Sequence, residues 1–483
     1  MTGAVFTAGL TFFLVRALGP YEYGLLALAL GVSGVLLIPS DLGISQSAAR
    51  FVAEHRGDQR AVAGVLTDAL KLKAVVAVLV SGCLLASAGV IADAYGAPSL
   101  TWPLRLLALA LFGHSYLNFF GATFTAQGKI ALHLRVVASE STLETGTAVV
   151  LVLLGAGATG AAAGRAAGYL FAAGVGGALL ARHLGRRAFA SRGREAKAAN
   201  YRRIAGYASA LLVIDGAFTL FSRIDVLLIG AILGVRAVGL FEAPLRIVTL
   251  LGYVGQAASK GVAPRLARHA ERAPKVEPFR RMLRYMVLIQ ALAIAPVVVW
   301  ADPLTQLALG SSYGESAGVL RTLAPFIFLS GISPILALGV NYLGEARRRI
   351  PIAVGAVVIN LVIDLVLLPR IGILAGAIAS DVAYTFYTVG HLFICRRMVG
   401  IPLRPLARTF FRSLLAAGAM GGVLLLFGYS VVSTSSLLIG GALGVLTYCG
   451  VLLATGEFTS EELHALRGAV ASRLAIGSRR GRS

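Results

Sequence analysis

The sequence predicts an all-α integral membrane protein of about fourteen transmembrane helices, built as two six-helix bundles in parallel pseudo-two-fold repeat plus two C-terminal helices. Three observations lead there. The 483 residues are 57% hydrophobic and only 14% charged, with a mean hydropathy of +0.81, more apolar surface than a soluble core of this length can hide. The apolar residues fall in long runs, and the basic residues fall almost entirely in every second connection between those runs.

A hydrocarbon core of about 30 Å needs about 20 mostly apolar residues per helix. Runs of that kind lie near residues 2–18, 23–44, 72–92, 101–125, 136–154, 158–181 and 206–234, and again near 237–264, 283–301, 319–344, 350–369, 372–394, 409–428 and 436–455. The first run is short for a span. A single residue precedes it and no small-residue cleavage site follows before Pro20, so no cleavable signal peptide is expected. The 57 glycines suit helices that pack closely in lipid, where small residues let backbones approach.

A net charge of +22 in a soluble protein would point to nucleic acid, so placement decides. No compact basic domain and no aromatic-basic platform exists, which excludes nucleic acid as a partner. Instead 36 of the 44 Lys and Arg fall on one side of the fourteen spans, as the positive-inside rule requires. Arg16, Arg105, Arg165, Arg236, Arg321 and Arg370 fall on the other, and Arg223 and Arg246 lie within spans. This assigns both termini to the cytoplasmic side of the cell inner (plasma) membrane.

The expected organisation is an N-terminal bundle over 1–181, a basic cytoplasmic linker over 182–205, a second bundle over 206–394, a helix pair over 395–455 and an amphipathic tail over 456–483. The basic linker suits anionic membrane lipids. In the tail, Thr459 and Glu462 form a capping-box pattern, and Leu463, Leu466, Val470 and Leu474 share a helical face. Cys83, Cys395 and Cys449 lack metal or redox spacing and read as packing residues, so neither metal nor cofactor is expected.

Leu18-Gly-Pro-Tyr-Glu-Tyr-Gly24-Leu25 resembles Leu233-Gly-Val-Arg-Ala-Val-Gly239-Leu240 at an offset of 215 residues, and Gly160–Gly164 resembles Gly372–Gly376 at an offset of 212. Six spans separate the copies, so the halves share one orientation, and such pairs transport by alternating access.

These same residues carry a family resemblance over nearly the whole chain. Arg16-Ala-Leu-Gly-Pro-Tyr-Glu-Tyr-Gly24, Asp41-Leu-Gly43, Asp225-Val-Leu-Leu-Ile-Gly230, Gly239-Leu-Phe-Glu-Ala243 and Gly372-Ile-Leu-Ala-Gly-Ala377 resemble the polysaccharide-transport, O-antigen flippase-type branch of the multidrug/oligosaccharidyl-lipid/polysaccharide exporter superfamily. The resemblance implies a flippase, not an enzyme. Its substrate would be an undecaprenyl-pyrophosphate-linked oligosaccharide, moved from the inner to the outer leaflet, with glycan polymerase or glycosyltransferases as possible partners. A peptidoglycan-precursor or multidrug exporter of the same superfamily is the near alternative. A membrane-embedded glycosyltransferase or glycan polymerase is the distant one, with only Asp302 and Glu315 on the largest external stretch.

Charges within spans are the functional candidates, because an ionised group at mid-membrane costs several kcal/mol unless it faces a cavity or a partner. Arg223 could grip a pyrophosphate bidentately or pair with an acid on a neighbouring helix. Arg246 follows Glu242 by four residues, a spacing that favours a local pair over substrate binding. Arg16 and Arg50 sit near span ends, where long side chains reach the headgroup layer. Glu144, Asp215, Asp225, Asp364 and Asp381 are candidates for proton or sodium coupling, with Glu140 nearer the cytoplasmic end. His114 and His391 read as packed histidines.

Overall fold

The computed structural model describes residues 2–55, 57–184, 216, 219–267, 276–342, 348–430, 432–458 and 462. Among them all regular structure is helical. In chain order the helices are α1 (Thr2–Val35), α2 (Leu37–Asp41), α3 (Ile44–Glu54), α4 (Gln59–Ala94), α5 (Thr101–Ala126), α6 (Ile130–Leu153), α7 (Gly157–Leu184) and α8 (219–233). There follow α9 (Val235–Ala267), α10 (Val276–Val299), α11 (Ala301–Leu309), α12 (Ser316–Thr322), α13 (Ala324–Tyr342), α14 (Arg349–Ile371), α15 (Leu374–Val399), α16 (Leu403–Leu425) and α17 (Thr434–Ala454). Most of the basic linker and most of the amphipathic tail, Thr459 and Leu463 included, lie outside the described residues.

Among the described residues seven helices are long and apolar enough to cross a membrane, or eight if α12 and α13, bent by 47°, count as one broken span. Other helices have the length without the hydropathy. α7, for example, has 28 residues, about 42 Å of helix, but its run is rich in Ala and Gly and carries Arg165. The long helices leave large apolar side chains bare: Val78, Leu79 and Val90 on α4, Val358, Val362 and Leu365 on α14, and Leu438 and Leu446 on α17. Rows of this kind are lipid-facing surface on a multi-pass membrane protein.

The expected connection at residues 19–22 is sharper than a loop. α1 runs through it, broken only at Gly19, whose φ of 70° and ψ of 176° no side chain tolerates well. Gly234, the repeat equivalent of Gly19, stands between α8 and α9 with φ +88°. Both copies of the motif therefore turn the chain at the same residue and start a helix directly after it.

The chain divides into two compact units. The first comprises Met1–Leu250, Thr305–Leu323 and Glu345–Gly390. In it α5, α6 and α7 pack face to face and α1 lies against all three. Small residues set the spacing: a Cβ on Gly168 would lie 2.7 Å from the Cβ of Glu144, and one on Gly113 would lie 2.6 Å from the backbone of Tyr169. Phe119, Phe120 and Phe124 of α5 fill the core with Phe51 and Val52 of α3, Leu66 and Ala69 of α4 and Ala172 and Leu180 of α7. In lipid the gain is van der Waals contact, since water supplies no driving force between apolar faces.

The second unit comprises Leu251–Leu304, Ala324–Gly344 and His391–Ser483. Here α10 packs on α16 and α13 around Trp300, Ala416, Met420, Leu424 and Tyr448. Two buried polar tips are satisfied by carbonyls: Trp300 Nε1 donates to Gly428 O at 3.1 Å and Tyr448 OH to Leu288 O at 2.7 Å. A cluster of charges holds the residues after α17. Arg284 donates to Glu457 at 2.8 Å and to Glu462 at 2.7 Å, while Thr409 and Arg412 donate to Glu457 at 2.7 Å and 3.1 Å.

Candidate functional site

Apart from the Glu457 cluster of the second unit, the buried charges described lie in the first unit, where helix packing brings most of them into three groups. Glu22 of the first repeat motif accepts the Ala158 N–H at 2.8 Å, capping the N-terminal end of α7 with a carboxylate. That contact helps to set α7 against α1. Arg165, further along α7, then shares a small chamber of about 70 Å³ with Arg223 of α8, His114 of α5 and Ser33 and Gly34 of α1.

The two arginines differ in their partners. Arg165 donates to Tyr169 OH at 2.9 Å, lies 3.6 Å from Glu144 and stands 5.2 Å above the Tyr169 ring. Arg223 passes directly over Gly34, where an added Cβ would come within 2.9 Å of its Nε. Among the described residues Arg223 makes no ion pair and no hydrogen bond. A guanidinium without an ion pair or hydrogen bond among the described residues, with a second one lining the same chamber, has donors free for an anion with several acceptor oxygens.

The other cations named from sequence sit elsewhere. Arg246 pairs with Glu242 and donates through Nε to Tyr23 OH at 3.0 Å, bridging α9 to α1. Arg16 is exposed and donates to the Leu307 carbonyl on α11. Arg50, also exposed, pairs with Glu54 at 3.1 Å on its own helix.

The second group consists of acids. Asp225 of α8, Asn360 and Asp364 of α14 and Ser380 of α15 meet in the interior, and Asn360 and Asp364 are fully buried. Ser380 donates to Asp225 Oδ2 at 2.6 Å. Among the described residues, the other Asp225 oxygen, both Asp364 oxygens and both polar atoms of the Asn360 amide make no hydrogen bond of ordinary geometry, although Asp364 and Asn360 both lie next to Asp225. Two buried carboxyls side by side repel each other when both are ionised, and a single proton between them removes that repulsion. Asp381 follows Ser380 on α15 and is half-buried, Glu144 serves Arg165, and Asp215 lies outside the described residues. Among the described residues no three His, Cys, Asp or Glu side chains cluster to hold a metal ion.

The third group was not foreseen. Lys73 of α4 is fully buried and pairs with Asp41, while Ser45 donates to Asp41 at 2.5 Å and accepts from Lys73 at 3.0 Å. Lys73 stands at the start of the expected third run, 72–92, and its burial and carboxylate partner make it part of the interior. The backbone supports the arrangement, because Leu42, with φ 46°, and Gly43, with φ 72°, are both left-handed and turn the chain between Asp41 and Ser45. A left-handed leucine costs of order 1 kcal/mol, strain of the sort found at functional positions. Beside the pair opens a cavity of about 620 Å³ lined by α2, α3, α5 and α6.

Arg165, counted from sequence with the non-cytoplasmic basic residues, lines the arginine chamber eight residues into α7. The signal was available: it is the lone charge in a run of more than 20 small and apolar residues.

The family model described as "Polysaccharide biosynthesis protein" matches residues 13–318. A "probable low-salt glycan biosynthesis flippase", Agl15 of Haloferax volcanii, is 24% identical over 239 residues, a match covering 48% of this chain. The chain thus spans about half (50%) of the length of that curated relative. Among solved structures, the lipid II flippase MurJ in an inward closed conformation aligns over 93% of this chain and 97% of its own, with TM-score 0.76 and 11% identity. An inward-facing MATE-family multidrug resistance transporter of the MOP superfamily aligns over 82% and 94%, with TM-score 0.66 and 17% identity. At those identities the structures establish a shared fold. With more than half of its length matched by the family model, the chain belongs to the polysaccharide biosynthesis protein family, and its fold is shared with these transporter structures.

Proposed function

We propose that the protein is a flippase that carries an undecaprenyl-pyrophosphate-linked oligosaccharide from the inner to the outer leaflet by alternating access. The observation that carries this reading is Arg223, unpaired among the described residues and sharing a chamber with Arg165. A pyrophosphate brings charge that cannot enter hydrocarbon unaided, and two guanidinium groups supply the donors that replace its water. The lipid tail needs no such chamber and can stay in the bilayer. The relative from Haloferax volcanii, described as a glycan flippase, supports the same reading.

In this reading the chain makes fourteen spans with both termini cytoplasmic, which fits the one-sided placement of 36 of 44 basic residues. Asp225 and Asp364 form the coupling site. A proton or sodium ion held between them neutralises the pair, and its release in one state but not the other drives the cycle. Glycan polymerase or glycosyltransferases would work next to it on the same lipid. A multidrug exporter is the rival, but a chamber with two arginines repels the organic cations and favours a phosphorylated cargo.

Deletion of the gene tests the role. Completed lipid-linked glycan should accumulate facing the cytoplasm, read by its protection from membrane-impermeant glycosidase in intact spheroplasts. Normal accessibility from outside, in a strain with no redundant carrier, contradicts it.

A further inference from the structure

The cavity of about 620 Å³ beside Asp41 differs in character from the arginine chamber, although both open along one helix. On α5, His114 lines the chamber, while Asn118, Gly121 and Thr125 line the cavity. These four residues follow one face of α5, at steps of four, three and four. His114 and Asn118 are one turn apart, about 6 Å along the axis.

No Lys or Arg lines the cavity. Its one carboxylate, Asp41, is already neutralised by Lys73. What remains are the amides of Gln46 and Asn118, which both donate and accept, and the His133 ring, because the Ser45 hydroxyl is engaged by Asp41 and Lys73 and the Thr125 hydroxyl donates to Gly121 O at 2.8 Å. Gln46 and Asn118 are exposed, and lipid would leave the donors and acceptors of their amides unmet, so this face meets water or a polar ligand. Gly121 keeps the wall open, since a Cβ there would lie 2.8 Å from the His133 ring. The volume lies within the roughly 300–1,000 Å³ of small-molecule sites.

We infer that this cavity is a glycan subsite, which holds the uncharged sugar next to the pyrophosphate while Arg165 and Arg223 hold the pyrophosphate itself. The inference rests on the reading of the chain as a flippase for lipid-linked glycan. A polyhydroxyl ring matches the mixed donors and acceptors, whereas a second phosphate would meet the Asp41 carboxylate and, in the lining, no lysine or arginine. The one-turn spacing on α5 fits a sugar bonded directly to the phosphate.

Binding to the purified full-length protein tests the assignment with two probes, the lipid-linked glycan extracted from cells that produce it and undecaprenyl pyrophosphate without sugar. Asn118→Leu should weaken the glycan-bearing lipid ten-fold or more and leave the bare pyrophosphate within two-fold. Gln46→Leu, on another helix, should do the same, which separates a lost subsite from a misfolded α5. Arg223→Ala should weaken both probes. If both leucine variants change the two affinities by equal factors, or change neither, the cavity is not a glycan subsite. If the wild-type protein binds neither probe, the flippase reading itself falls and takes the subsite with it.

Discussion

Gly24 and Gly239, equivalent residues in the two copies of the repeated motif, pack against each other's helices reciprocally. A methyl group on Gly24 would overlap the carbonyl oxygen of Val235, and one on Gly239 would overlap that of Pro20. Pro20 and Val235 are themselves equivalent in the repeat. The contact is therefore isologous, as in a two-fold dimer, within a single chain.

Substituting either glycine by Ala should force α1 and α9 apart. Overpacking of this kind costs typically about 1–3 kcal/mol. Gly24→Ala and Gly239→Ala should each lower the thermal unfolding midpoint in detergent, while Gly418→Ala, with nothing within 4 Å of its added methyl, should leave it unchanged or raise it. Equal midpoints for all three would show that the helices do not depend on the close approach.

That contact also marks how far the sequence could be read. The repeat, the apolar runs and the motifs at Gly19 and Gly234 were legible because each is a local pattern, and Glu242 and Arg246 were legible as a pair because four residues is one helical turn. Lys73 and Asp41 were not, since 32 residues and a helix bend separate them and only packing joins them. Arg165 was assigned to a side of the membrane by its nearness to a span end, which says nothing about the face of α7 it occupies. In the acid site the two aspartates stood out by charge, whereas Asn360 and Ser380, being neutral, gave no signal until α14 and α15 were placed beside α8.

The acid pair predicts a cation dependence. Sodium ions or protons that bind between Asp225 and Asp364 bind the folded state alone, so they should raise the unfolding midpoint of the wild-type protein as their concentration increases. Asp364→Asn removes one of two repelling charges and the reason for the cation. Its midpoint should not depend on sodium between pH 6 and 8, and its transport should stop. A sodium and proton response equal to that of the wild type would dismiss the pair as a coupling site.

The cluster around Glu457 predicts an acid limit. Burial works to raise this carboxyl, but hydrogen bonds from Arg284, Thr409 and Arg412 outweigh it and hold the group below its ordinary value of 4.5. A carboxyl depressed in the folded state contributes its full stability above the unfolded value and loses it as pH falls through the folded one. The wild-type protein should thus lose stability progressively as the pH drops below about 4.5. Glu457→Gln should lower stability by about 2 kcal/mol at neutral pH, the scale of hydrogen bonds to a charged group, and should flatten that acid loss. An acid profile identical to the wild type would place the loss elsewhere.

The central claim is that Arg223 grips the phosphorylated head of a lipid-linked glycan during its passage. The most direct measurement is the rate at which a fluorescent lipid-linked oligosaccharide becomes accessible to quencher on the far side of proteoliposomes containing the purified protein. Arg223→Ala should lose at least ten-fold in that rate, and Arg223→Lys, which keeps the charge but not the two-pronged donor, should lie between it and the wild type. A rate for Arg223→Ala equal to the wild type, at equal protein incorporation, would contradict the proposed role.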